Sequence, residues 1–231
     1  MSSICARNLV WFGLVCSIIS TLCSAEVGRW EDSIHKFEAA DTVSPPPKGA
    51  TVFVGSSSFT LWTSMEKDFF PYKVINRGFG GAKTSDLLTY IDRIILPYSP
   101  EKVVFYCGGN DLSAGVGETA VIDELKTFVQ RVHANLPNTD IYILSIKPSP
   151  LRMNLWEKMQ AVNTARKRFA ENTKHVFYVD ISKDMFNESG MIREDIFLQD
   201  RVHMNAAGYQ IWINIMKKRF GWSVDPSKAG D

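Results

Sequence analysis

The chain has 231 residues, 45% hydrophobic and 22% charged, with a formal net charge of +1. That length and composition suit one globular domain with a sizeable buried core. The near-neutral balance, with lysines and arginines scattered, excludes the basic footprint of a nucleic-acid binder.

The first segment reads as a targeting signal. Arg7 is the only charge before Glu26, residues 9–22 are almost wholly apolar, and Cys23-Ser24-Ala25 offers small residues for cleavage. This order is that of a secretory signal, so residues 1–25 are expected to be removed and the product to be secreted or periplasmic. The apolar run is short for a span of roughly 20 residues, so no stable membrane span is expected in the mature chain, residues 26–231. Three of the four cysteines, Cys5, Cys16 and Cys23, fall in the signal. Cys107 follows the apolar run Val103-Val104-Phe105-Tyr106 and reads as a buried small hydrophobe, not a nucleophile.

Residues 30–40 carry the pattern of a short amphipathic helix, which Pro45-Pro46-Pro47 ends. Short β-rich runs follow at 51–54, 73–76, 102–107, 140–146 and 175–180. They are apolar almost continuously, as strands buried on both faces of a parallel sheet are. Between them, Val121, Leu125, Phe128, Val129, Val132 and Leu136 recur at helical steps. A second, slightly imperfect stripe holds Leu155, Met159, Val162, Arg166 and Phe169. The last helix carries Tyr209, Trp212, Ile215, Met216 and Phe220, with Asn205 as its N-cap. Strands alternating with helices predict a three-layer α/β/α sandwich around a five-stranded parallel sheet.

Ligands of such a sheet sit beyond the carboxyl ends of its strands. There the chain places Gly55-Ser56-Ser57-Ser58, Asn76-Arg77-Gly78-Phe79-Gly80-Gly81, Gly108-Gly109-Asn110-Asp111, Lys147-Pro148-Ser149-Pro150 and Asp200-Arg201-Val202-His203. A serine needs a base within hydrogen-bond reach, and a carboxylate three residues before an imidazole can orient that base. The serine run alone would pass for a turn, and the glycine run for a strand-to-helix turn capped by Thr84 or Ser85. Asn110 offers an amide donor, or an Asx-turn.

Taken in order, Gly55-Ser56-Ser57, Gly80-Gly81, Gly108-Gly109-Asn110-Asp111 and Asp200-Arg201-Val202-His203 resemble the four sequence blocks of the SGNH (GDSL-type) hydrolases. The resemblance runs from about residue 51 to 220. Val52-Phe53-Val54-Gly55 with Asn76-Arg77-Gly78 is similar to the branch of platelet-activating-factor acetylhydrolase subunits. It implies a flavodoxin-like sandwich and a serine esterase. Ser57 would be the nucleophile, His203 the general base and then acid, and Asp200 its orienting carboxylate. Ser57 N–H, Gly81 N–H and the Asn110 side chain would form the oxyanion hole. One position departs: Ser56 stands where the family commonly has aspartate, which leaves Ser56 and Ser58 as neighbouring candidates. A backbone carbonyl is an alternative partner that could orient His203 beside Asp200.

His35, His133 and His175 form no metal-ligand spacing, so neither a metal nor a cofactor is expected. Asn187-Glu188-Ser189 is a glycosylation acceptor if the source is eukaryotic. Residues 147–156 either line an acyl or alcohol pocket or form a rigid connection with Trp156 packed inward. The expected substrate is a small-molecule or carbohydrate ester. Acyl transfer by the same residues, and a non-catalytic binding module on this fold, remain as alternatives.

Overall fold

The computed structural model describes residues 28–223, so the expected signal at residues 1–25 lies outside the described residues. In chain order it forms α1 (Glu31–Val43), β1 (Gly49–Gly55), α2 (Ser57–Thr60), α3 (Met65–Asp68) and β2 (Val74–Gly78). Then come α4 (Thr84–Ile94), β3 (Pro100–Tyr106), α5 (Gly109–Ser113), α6 (Glu118–Asn135) and β4 (Asp140–Leu144). The chain ends with α7 (Trp156–Glu171), β5 (Val176–Val179) and α8 (Ala206–Phe220). The sheet order is β2-β1-β3-β4-β5, and every neighbouring pair is parallel.

Alternation along the strands builds two apolar layers. Val52, Val54, Val103, Phe105 and Ile143 meet Leu87 and Ile91 of α4 and Leu125 and Phe128 of α6 on one face. Phe53, Val104, Tyr106 and Leu144 meet Phe59, Trp62, Trp212 and Met216 on the other. This makes the three-layer sandwich, and double-sided burial explains why the strands read as unbroken apolar runs. Each fully buried Ile, Leu or Phe contributes about 1.5–3 kcal/mol of transfer free energy.

The boundaries shift where local chemistry decides them. Helix α1 runs to Val43, beyond the expected residue 40. It stops where Pro45 disfavours helical backbone at Ser44, which adopts φ −139° and ψ 87°. Neither Thr84 nor Ser85 caps α4, contrary to expectation; both lie inside it, and Lys83 is the N-cap. Asp86 Oδ2 accepts the Lys83 N–H at 2.8 Å, and the Thr84 N–H is taken by Asp111 Oδ1 at 2.9 Å. Asn205 caps α8 as expected, its Oδ1 accepting from Ala207 and Gly208 N–H at 3.0 and 3.2 Å.

Candidate active site

Strand β1 delivers Ser57 to the carboxyl edge of the sheet. Immediately after Gly55 the chain turns, and the Ser56 carbonyl accepts from Phe59 and Thr60 N–H at 2.9 and 3.2 Å. The turn rests on Gly78, where a Cβ would come within 2.6 Å of Phe59 Cβ. Only glycine lets α2 sit this close to the end of β2. Ser56 and Ser58 are buried, whereas Ser57 is half-buried and stands at His203.

Ser57 Oγ and His203 Nε2 are 2.8 Å apart, and His203 Nδ1 lies 2.6 Å from Asp200 Oδ2. A carboxylate only accepts, so Nδ1–H donates to Asp200 and Nε2 is left to accept the Ser57 hydroxyl. Asp200 is the sole partner of Nδ1 among the described residues; the alternative backbone carbonyl is not there. Asp200 Oδ1 also accepts the Val202 and His203 N–H groups, each at 2.9 Å. Burial pushes the Asp200 carboxyl up. The hydrogen bonds from His203 and Val202 outweigh it and bring the pKa down to about 2.

Three successive carbonyls of this loop are tied down. Leu151 N–H donates to Arg201 O at 3.1 Å, Leu198 N–H donates to His203 O at 2.8 Å, and Lys147 Nζ donates to Val202 O. Lys147 is buried, and its ammonium lies 5.1 Å from the Phe197 ring centroid. Burial, helped by the charge of Arg152 and opposed by Asp200, pushes its pKa down to about 7. The segment 147–156, expected either to line a pocket or to form a rigid connection, therefore begins as the cradle of the His203 loop. Farther along it, half-buried Trp156 packs on Phe186 at 5.4 Å between ring centroids. Trp156 also borders a groove of about 460 Å³ with Gln160, Tyr178 and Asp180.

Two of the expected oxyanion donors, Gly81 and Asn110, are linked through the carbonyl of Ala82, the residue after Gly81. Ala82 O accepts Asn110 Nδ2 at 3.0 Å and the Cys107 thiol at 3.2 Å, while Asp111 reaches across to Thr84 N–H. One Nδ2 hydrogen of Asn110 remains available, because an amide nitrogen carries two. Arg152 Nη2 donates to Asn110 Oδ1 at 3.2 Å, which fixes the orientation of that amide. Among the described residues, neither the Ser57 N–H nor the Gly81 N–H donates to a protein acceptor. Burial pushes the Cys107 thiol well up, which keeps it an inert thiol.

Two supports are invisible in the motifs. Tyr209 on α8 donates its hydroxyl to Ser58 O at 2.9 Å, so the helix that follows His203 is tied to the turn that carries Ser57. Arg166 on α7 is fully buried and donates to Leu144 O at 3.0 Å and Cys107 O at 2.7 Å, joining the ends of β3 and β4. A Cβ on Gly108, whose φ is +109°, would meet Arg166 Nη2 at 2.5 Å. The remaining histidines sit away from this line: His35 pairs with Glu31 and Glu38, His175 with Asp140, and His133 with Thr139 O.

A serine, an oriented imidazole and unclaimed N–H donors on an α/β/α sheet edge are the equipment of a carboxylic ester hydrolase. The chain belongs to the GDSL-like lipase/acylhydrolase family, whose model matches residues 49–211. No curated protein matches. Solved structures share the fold. A Streptococcus pneumonia protein provisionally described as a platelet activating factor superposes with TM-score 0.73 at 23% identity, covering 88% of this chain and 98% of its own. A GDSL-like lipase from Bacteroides thetaiotaomicron gives 0.67 at 21%, covering 81% and 97%. A variant acetyl xylan esterase from Geobacillus stearothermophilus gives 0.63 at 17%, covering 78% and 98%.

Proposed function

We propose that the protein is an exported serine esterase that removes small acyl groups from a carbohydrate or another small alcohol. What carries the reading is the unbroken line from Ser57 Oγ through His203 to Asp200, with contacts of 2.8 and 2.6 Å. Ser57 Oγ attacks the ester carbonyl as His203 Nε2 takes its proton. The negative charge that develops on the carbonyl oxygen is met by the Ser57 N–H, the Gly81 N–H and the Asn110 amide. Each such donor supplies about 3 kcal/mol to the barrier. His203 then protonates the departing alkoxide. Water attacks the acyl-enzyme, His203 takes its proton, and Ser57 leaves with that proton restored. Asp200 stays ionised and holds the imidazolium formed in both halves.

Export is supported by the charge and apolar order of residues 1–25, and the small acyl group by the likeness to an acetyl xylan esterase. No helix among the described residues is long and apolar enough to cross a membrane. The test is hydrolysis of 4-nitrophenyl acetate, butyrate and decanoate by wild type and Ser57→Ala. Acetate should be turned over fastest, and Ser57→Ala should lose roughly 10⁴–10⁶-fold in kcat. Activity retained in Ser57→Ala refutes the nucleophile. Export is checked by the mass of the secreted chain, which should begin near Glu26.

A further inference from the structure

Two arginines stand at the rim of this site without a carboxylate partner among the described residues. Arg152 reaches Asn110 Oδ1 through Nη2, and its Nη1 lies 3.5 Å from where a Cβ on Gly109 would be. Arg29 lies against the other expected donor. Its guanidinium stacks 4.6 Å from the Trp30 ring centroid, and Trp30 packs on Phe79 at 5.5 Å. A Cβ built on Gly81 would lie 3.3 Å from the edge of Trp30 and 3.9 Å from Arg29 Nη2. The aromatic shelf holds this exposed cation beside Gly81, and a stacked guanidinium loses less freedom when it binds.

The two carboxylates of the expected site motifs are already engaged. Asp200 serves His203 and two backbone N–H groups, and Asp111 is buried against Thr84 N–H. Elsewhere Arg77, Arg93, Arg131, Arg193 and Arg201 each hold a carboxylate. The rim therefore carries two guanidiniums, one beside Gly81 and one on Asn110, that hold no carboxylate among the described residues. A neutral substrate gives these cations nothing to pair with, whereas a carboxylate matches the guanidinium fork.

We propose that Arg29, with Arg152 beside Asn110, forms a recognition site for a carboxylate carried by the substrate a few bonds from its scissile ester. This rests on the esterase reading and narrows its substrate to acidic esters. Arg29 acts on binding: it makes no hydrogen bond to Gly81, Asn110 or Ser57, and its exposure leaves its field on the oxyanion screened.

Two ester pairs test it, each a carboxylate and its methyl ester. 4-Carboxyphenyl acetate carries the charge on the alcohol side, and the mono-4-nitrophenyl ester of glutaric acid carries it on the acyl side. The quantity read is the ratio of kcat/KM for the acidic ester to that for its neutral partner, which cancels losses common to both. Wild type should favour the acidic member of at least one pair. Arg29→Gln should lower that ratio roughly 5–10-fold, mainly through KM, and Arg29→Glu should reverse the preference. Salt at about 0.5 M should weaken the wild-type preference. A wild-type ratio near one in both pairs overturns the proposal, as does a ratio that neither Arg29 variant changes. Calorimetric titration of Ser57→Ala with the two members of the pair that wild type discriminates reads the same contact without turnover. An enzyme that hydrolyses none of these esters refutes the esterase reading. Equal affinity of Ser57→Ala for the two esters, or a preference that survives Ser57→Ala/Arg29→Glu, refutes the carboxylate site.

Discussion

Lys147→Met removes a buried ammonium while keeping an unbranched side chain of similar length. Two effects oppose each other. In the folded protein Lys147 is 5% exposed and its pKa falls from 10.5 to about 7, chiefly through burial. That gap corresponds to about 5 kcal/mol of disfavour for the charged form at and below neutral pH. Methionine escapes this cost but leaves the Val202 carbonyl without its donor, at about 1–3 kcal/mol. Lys147→Met should therefore be more stable than wild type at pH 6, by about 2–4 kcal/mol.

The sign with pH follows from proton binding. Between pH 7 and 10.5 the unfolded chain holds the Lys147 proton and the folded protein does not. Wild-type stability must then rise with pH across that window, by up to about 1.4 kcal/mol per pH unit, relative to the variant. Urea unfolding from pH 6 to pH 10 reads this directly, and the stability order should reverse near the top of the range. The same substitution frees one of the three carbonyls that fix the His203 loop, so kcat should fall about tenfold with little change in KM. Parallel stability profiles for wild type and Lys147→Met above pH 7 would refute the placement of a buried, proton-losing lysine beneath the loop.

Other expected outcomes rest on the remaining ties. Tyr209→Phe deletes the hydrogen bond to Ser58 O inside an otherwise apolar cluster; it should cost about 1–2 kcal/mol in urea unfolding and lower kcat more than it raises KM. An unchanged kcat would detach Tyr209 from Ser57 placement. Asp200, at about pKa 2, supports the folded state above pH 3.8 and loses that contribution as pH falls through about 2, so it adds no acid limb to kcat/KM above about pH 3. Asp200→Ala should lower kcat roughly 10²–10⁴-fold and His203→Ala at least as much; a milder loss in His203→Ala would invert their roles.

The residues that meet at the sheet edge were legible because they travel in short local blocks. A serine after a strand, Asn110 after another and a carboxylate three residues before His203 are each readable within a few positions. The strands were legible for a similar reason: burial on both faces leaves a continuous apolar run. Thr84 was misread because its N–H is claimed by Asp111, 27 residues away, which no local capping rule contains. Arg166 looked like a flaw in the apolar stripe of α7, yet it is fully buried, and its two terminal nitrogens donate to carbonyls at the ends of two strands while its Nε has no partner among the described residues.

The same contrast separates chemistry from precision. Ester hydrolysis needs few groups, but it needs them held within about 0.5 Å of the productive geometry. Here that holding is done at long range: Tyr209 to Ser58 spans 151 residues and Lys147 to Val202 spans 55. Neither tie touches the place where an ester would bind. Their loss should therefore leave ground-state affinity largely alone and appear in kcat, because misaligned groups weaken the transition state more than the encounter. The three carbonyl ties on the His203 loop are also unequal. Leu151 and Leu198 donate through backbone N–H groups that no substitution short of proline deletes, whereas Lys147 donates through its side chain. Position 147 is thus a point at which a single side-chain substitution can loosen His203 while leaving Ser57, Asp200 and the proposed oxyanion donors chemically intact.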